Sequence, residues 1–227
     1  MGFSLEKVVP WGRSYQEYVA MFSLTEGDLQ RRILGCGDGP ASFNAVLAQR
    51  GGHVVSLDPL YLFSAPQIRT RIGETYPIVM EQVRTNQDDF VWQDIASVEE
   101  LGRVRMAAMA DFLVDYPIGK SQGRYVAGEL PRLPFADAVF DMALSSHFLF
   151  LYSGHLSADF HLKSVLEMLR VAQEVRVFPI IGLGGEPSPH LAFVLGELAK
   201  LGFRATIQRV AYEFQRGGNE MLVVHSR

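Results

Sequence analysis

The chain carries a single cysteine, Cys36, among its 227 residues. No internal disulfide can form, and a reducing compartment is the expected setting. Basic residues are not in excess. Twenty-one Lys and Arg stand against 25 Asp and Glu, a net charge of −4. That lacks the basic footprint of proteins that bind nucleic acid non-specifically, so no nucleic-acid partner is expected. No apolar run is long enough to span a bilayer, so no membrane partner is expected either. The opening "MGFSLEKVVPWGRS" has no apolar core of signal-peptide length. Its sixth residue is Glu6 rather than Ser or Thr, which fits poorly with myristoylation. A cytoplasmic location is the expectation. Repeats, low-complexity tracts and linkers are also missing, and nothing fixes an oligomeric state. With 48% hydrophobic and 20% charged residues, the composition suits one globular domain over 1–227.

What is present is an alternation of strand and helix patterns. Residues 14–23, "SYQEYVAMFS", place Tyr15, Tyr18, Val19 and Phe22 on one helical face behind the cap Ser14. A short strand over 31–35 leads into a glycine turn. Pro40 then suits the first position of a helix that "RGG" at 50–52 stops. "HVVSLD", 53–58, is a second strand, which completes a β-α-β unit. From 64 to 122 the pattern is helical. One helix is interrupted at Gly73 and Pro77, and another runs over about 88–115. This stretch reads as a helical insertion that covers a site. Strands are expected again at 123–129, 140–146 and 174–181, with helices over 158–172 and 188–203, the latter capped by Ser188 with Pro189 first. "RATIQRVAYEF" and "EMLVVHS" read as a terminal antiparallel pair joined by "QRGGN".

"RRILGCGDGPASF", 31–43, sets Gly35, Gly37 and Gly39 two residues apart. Glycines after a strand let a ligand approach the backbone, and the N–H groups of a following helix attract phosphates and carboxylates. The dinucleotide fingerprint needs a small residue where Pro40 stands. A plain tight turn explains the same glycines. Asp58, ending the second strand 19 residues beyond Gly39, suits ribose hydroxyls, or alternatively a helix or loop cap.

Several stretches together resemble the class I S-adenosylmethionine-dependent methyltransferases. "ILGCGDG" is similar to their first motif and "VVSLDP" to their second-strand acid. "VAGELPRLPFADAVFDMALSSHFLF", 126–150, is similar to the run Gly-Asp-x-x-x-Leu-Pro-Phe-x-Asp-x-x-Phe-Asp and the strand that follows it. "EMLRVAQEVRVFPI" resembles the next helix and strand. The resemblance spans about 31–60 and 123–225. It implies an α/β, Rossmann-like seven-stranded sheet, mostly parallel with an antiparallel terminal strand, and with helices on both faces. It implies S-adenosylmethionine as cofactor and a methyl acceptor. Gly35, Cys36, Gly37 and Gly39 would surround the cofactor's methionine part. Asp58 would hold the ribose hydroxyls, with Pro59 and Leu60 beside the adenine. Glu129, where relatives usually carry Asp, would meet the adenine amino group, and Leu130 would offer its N–H to the ring. Ser145 and Ser146 would lie near the methyl group. Two other positions depart from the pattern. Ile33 stands where many relatives have an acid, and no Pro-Gly-Gly turn precedes "VFPIIG".

Methyl transfer needs orientation and sometimes a base. His147, directly after the fourth strand, is the first candidate, with a structural strand-end histidine as the alternative. "SSHF" replaces the Asn-Pro-Pro-Tyr-like motif of relatives that methylate base or glutamine amino groups, so a small-molecule acceptor is expected. His155, Asp159 and His161 form a weak metal pattern, and no metal is expected. The aromatic helix at 15–22, with Arg13 ahead of it, reads as a lid or as a helix packed on the sheet. Met80, Met106, Met109 and Phe112 read as core or as an apolar substrate pocket. A silent cofactor-binding module is the alternative function. An NAD-type oxidoreductase is a third, disfavoured by Pro40 and the terminal pair.

Overall fold

Alternating apolar residues along the central strands send neighbouring side chains to opposite faces, and both faces are buried. In β1 (Arg32–Cys36), Ile33 packs into one hydrophobic cluster while Leu34 and Cys36 pack into another. A sheet apolar on both sides needs helices on both sides. The computed structural model describes residues 9–226. Residues 1–8 lie outside the described residues, and with them the acylation pattern and more than half of the opening stretch 1–14 read for a leader.

Among the described residues, seven strands form one sheet in the order β3-β2-β1-β4-β5-β7-β6. The others are β2 (His53–Leu57), β3 (Tyr125–Val126), β4 (Phe140–Ser146), β5 (Ala172–Phe178), β6 (Arg204–Arg209) and β7 (Glu220–His225). The first five run parallel, and β7 lies antiparallel between β5 and β6. This is the Rossmann-like arrangement that the resemblance implies. The chain winds outward from β1 to β3 on one side and from β4 onward on the other. The strand order therefore reverses between β1 and β4, where ligands of such sheets bind.

Helices α1 (Tyr15–Met21) and α2 (Phe43–Gln49) cover one face, and α5 (Ala158–Val171) and α6 (Leu191–Lys200) cover the other. Ser14 caps α1 in a full capping box with Glu17. The aromatic residues of α1 pack on the sheet: the Tyr18 ring stacks on Phe43 at 4.7 Å, and Tyr15, Tyr18, Met21 and Phe22 are buried. The packed alternative is thus the observed one. Helices α3 (Ala65–Thr85) and α4 (Val98–Ser121) fill the stretch between β2 and β3. Met109 and Phe112 sit in the cluster between α4 and β3, Met80 in a second cluster on α3, and Met106 is exposed. They form core or surface, not a substrate pocket.

Several boundaries differ from the sequence reading. Helix α3 runs without a break through Gly73 and Pro77, because its buried stripe of Ile68, Ile72, Val79, Met80 and Val83 holds it against α4. The second helix begins at Val98 rather than 88, with Ser97 as its cap. Pro40 lies two residues before Ser42, which precedes α2, and is not the first helical residue. Likewise α6 begins at Leu191. Ser188 Oγ accepts from the His190 N–H just outside it, so Ser188 and Pro189 stand in the preceding loop. Val171 ends α5 and Ala172 is already extended at φ −135°, so helix and strand join directly and need no Pro-Gly-Gly turn. The β6–β7 connection is not a tight hairpin. Residues 210–219 reach across to the 86–92 segment, where the Val91 N–H donates to the Phe214 carbonyl at 2.7 Å and the Phe90 and Phe214 rings stack at 5.0 Å.

Pro77 lacks an N–H to donate to the preceding turn and is exposed, while open space surrounds Gly73. Pro77→Ala is expected to stabilise the protein by about 1–3 kcal/mol and Gly73→Ala by about 1 kcal/mol in urea denaturation. A loss of stability in either variant would contradict the continuous helix.

Candidate functional site

The glycine turn follows β1 at the sheet's reversal point, and its geometry is set by two carboxylates. The Asp38 side chain folds back beneath the turn. A Cβ on Gly35 would collide with that carboxylate, so any side chain here would push Asp38 out of its place. Tyr18 Oη donates to Asp38 Oδ1 at 2.9 Å, and Ser56 Oγ donates to Asp38 Oδ2 at 2.6 Å. Burial pushes the Asp38 carboxyl up to about 6, against the pull of these two hydroxyls. Gly37 follows at φ 71°, with the Phe148 ring where a side chain would begin.

Asp58 is the second carboxylate. It accepts from the Gly39 N–H at 2.9 Å on Oδ2 and from the Leu60 N–H at 2.7 Å on Oδ1. It therefore caps the 3-10 turn Pro59–Leu62 and ties it to the glycine turn. Burial raises its carboxyl above the ordinary range, and the two N–H groups oppose that rise. Each carboxylate oxygen has a further lone pair, so both keep acceptor capacity.

A cavity of about 460 Å³ opens at these strand ends, lined by Gly37, Asp58, Pro59, Glu129, Leu130 and His147 among others. Six of the residues singled out from the sequence thus share one wall. The others do not line it. The Gly35 Cα faces Asp38, and Cys36 is fully buried with a thiol raised well above its usual range by burial. Gly39 and Leu60 contribute their N–H groups to Asp58. The Ser145 side chain is enclosed, and Ser146 Oγ lies 2.9 Å from His147 Nδ1. Gly128, Pro131, Phe148, Leu156 and Phe160 also line the cavity. Gly128 and Pro131 lie within the quoted 126–150 run. Leu156 and Phe160 arrive from beyond β4 and carry no motif.

His147 takes φ 53°, a left-handed conformation that costs a non-glycine residue about 1 kcal/mol or more. Its N–H donates to the Phe178 carbonyl at 2.7 Å. Burial, then the charges of Arg13 and Arg105, hold its imidazole well below the usual value, so the ring is neutral at pH 7. The same ring lines a second, smaller cavity of about 80 Å³, shared with Trp11, Arg13, Leu101, Arg105 and Phe214. The residues of the metal pattern disperse. Asp159 pairs with exposed Lys163 at 2.7 Å, and His161 Nδ1 sits 2.7 Å from its own helix's Ser157 carbonyl. Ile33 is core, and among the described residues Asp58 and Glu129 are the acids in the cavity wall.

No protein-family model matches the chain. It is 32% identical over 222 residues to the uncharacterized protein MJ0045 of Methanocaldococcus jannaschii, covering 97% of both chains. The chain belongs to the family of that archaeal protein. Similar solved structures include the magnesium protoporphyrin IX methyltransferase of Synechocystis PCC 6803 with bound SAM, at 12% identity, covering 94% of this chain and 78% of that one, TM-score 0.48. Another is a SAM-dependent methyltransferase from Aquifex aeolicus, at 15% identity over 93% and 87%, TM-score 0.43. At such scores the fold is better judged from the strand order itself. No helix among the described residues is long and apolar enough to cross a membrane.

Asp38 titrates at about 6 when folded, against an ordinary 3.8. Between those values the folded state binds more proton, so stability from this group falls as pH rises from about 4 to 6 and is level above. Neutral His147 acts in the opposite sense below 6.5, and comparison with Asp38→Asn cancels it. The wild-type minus Asp38→Asn unfolding free energy is expected to drop by about 2–3 kcal/mol between pH 4 and 7. A difference that stays flat would refute the buried, raised carboxyl.

Proposed function

We propose that this protein is an S-adenosylmethionine-dependent methyltransferase that acts on a small-molecule acceptor. The observation that carries the reading is the common wall of Gly37, Asp58, Glu129, Leu130 and His147 in a cavity of about 460 Å³ at the strand ends. That volume lies within the range of cofactor pockets, roughly 300–1,000 Å³. S-adenosylmethionine supplies, when bound, a methyl group activated on a sulfonium sulfur. Asp58 has the charge and the remaining lone pairs to accept from two ribose hydroxyls. Gly37, without a side chain, leaves the backbone bare at the cavity. Glu129 and the Leu130 backbone suit the adenine edge.

His147 is the base in this reading. A tautomer with the proton on Nδ1, donated to Ser146 Oγ, leaves Nε2 with a lone pair. The neutral ring then takes a proton from an acceptor O–H or N–H. The catalytically silent alternative needs only the larger cavity. The smaller cavity on the other side of His147 favours an enzyme, because it gives an acceptor its own place beside the base.

Calorimetric titration of S-adenosylmethionine, S-adenosylhomocysteine and NAD tests this directly. The two sulfur compounds are expected to bind and NAD is not. Failure of both sulfur compounds would overturn the proposal. Asp58→Asn keeps the shape but removes the charge, and is expected to weaken S-adenosylhomocysteine by about 1.5–3 kcal/mol. Unchanged affinity would remove Asp58 from that role.

A further inference from the structure

The smaller cavity has a chemistry of its own. Arg105 comes from α4 and is 0% exposed, although its guanidinium carries a full charge. Its Nη1 donates to both Glu17 oxygens at 2.6 Å, but its Nε and Nη2 have no partner among the described residues. Arg13, just before α1, spends Nη1 on the Trp11 carbonyl, and its enclosed Nε is likewise unpartnered. Burial and the neighbouring Arg105 charge lower the Arg13 guanidinium to about 10, so it stays charged at pH 7. Glu17 cannot serve both cations. It also accepts from Tyr212 Oη at 2.9 Å and from the Ser14 N–H and Oγ, each at 2.9 Å. Two positive charges therefore face one negative charge. His147 is neutral, and among the described residues no other charged side chain lines the cavity.

An uncompensated buried charge with free N–H donors is costly unless an anion meets it. Most of the remaining wall is apolar, Val79, Val83, Leu101 and Phe214 among it, with the neutral polar side chains of Tyr152 and Gln215 beside them and the Arg105 Cζ 5.9 Å from the Phe214 ring centroid. We infer that this cavity, of about 80 Å³ and open on one side, takes the anionic end of the acceptor, a small apolar or aromatic carboxylate whose anionic group meets Arg13 and Arg105 and whose body extends out along the α3, α4 and 210–219 walls. A guanidinium presents its donors in the planar fork that a carboxylate matches. One surplus positive charge calls for a monoanion rather than a dianion. Assigning the bound carboxylate as acceptor rests on the methyltransferase reading, whereas the anion site itself rests on the cavity alone. His147 stands on the wall common to both cavities, which places the carboxylate's body beside the base.

Calorimetry on the full chain, in low-salt buffer without other carboxylates, tests the site. The probes are benzoate, phenylacetate, isovalerate, benzamide and inorganic phosphate. At least one carboxylate is expected to bind, and benzamide, with the shape of benzoate and no charge, at least tenfold more weakly than benzoate. Arg13→Gln is expected to weaken the carboxylate tenfold or more while S-adenosylhomocysteine binding changes less than twofold, which also reports an intact fold. Val83→Phe fills the cavity without touching either cation and is expected to abolish carboxylate binding. Equal affinity for benzoate and benzamide, indifference to both substitutions, or tighter binding of phosphate than of any carboxylate would overturn the inference. If S-adenosylhomocysteine binds and no carboxylate does, the anion site falls and the cofactor reading stands. If a carboxylate binds through Arg13 and neither sulfur compound binds, the cofactor reading falls, and the acceptor role with it.

Discussion

The site depends on one buried carboxylate. Asp38 is buried, and among the described residues the side-chain donors to its carboxylate are the hydroxyls of Tyr18 and Ser56. Those two bonds join α1, the turn after β1, and β2, three elements that are separate along the chain. The price of that junction is the absence of a side chain at Gly35, whose Cβ would lie on the carboxylate. With Asp38 beneath the turn, the Gly39 N–H points to Asp58, which in turn organises Pro59–Leu62. The cavity wall follows from these contacts. A carboxylate shielded in this way is partly protonated near neutrality, which makes the turn's electrostatics sensitive to pH in a range where surface acids are not.

A second junction lies on the other side of His147. The Glu17–Arg105 pair joins α1 to α4 across 88 positions of sequence, and Tyr212 from the β6–β7 connection donates to the same carboxylate. Burial alone would raise Glu17, but Arg105 and Arg13 outweigh it and hold the carboxyl at about 2. An ion pair this enclosed contributes more to fixing an arrangement than to net stability, because desolvation offsets its Coulomb attraction. What it fixes is the wall between two cavities, with His147 common to both.

Much of this was legible from local patterns. The short apolar runs and helical periods located β1, β2, β4, α1 and α5 closely, because the strands bury side chains on both faces and each helix buries one apolar face. The glycine turn, the second-strand acid and the 126–150 run each supply residues to the wall of the larger cavity. Local signals misjudged elements governed by packing. Pro77 and Gly73 suggested breaks in α3, yet burial against α4 outweighs their poor propensity. Glycines near 217 suggested a tight hairpin, yet Phe214 is drawn away to stack on Phe90. Asp38 was passed over because an acid in a turn carries no sign of burial. Arg105 carries no local mark of its burial, and nothing in its sequence neighbours marks Glu17 as its partner.

The sequence by itself determined the fold class, the strand-turn-helix unit at Gly35–Gly39, the acid at Asp58 and the position of His147 after β4. These are encoded by spacing within short windows, where chain connectivity alone brings residues together. Only the tertiary structure decided that Asp38 lies under the turn, that Ser145 and Cys36 are core, and that Arg13, Arg105 and Glu17 meet beside His147. Burial and charge pairing arise between residues tens of positions apart. Whether a charged side chain faces water or a cavity depends on which helices pack over it, and that is settled when the whole chain has closed.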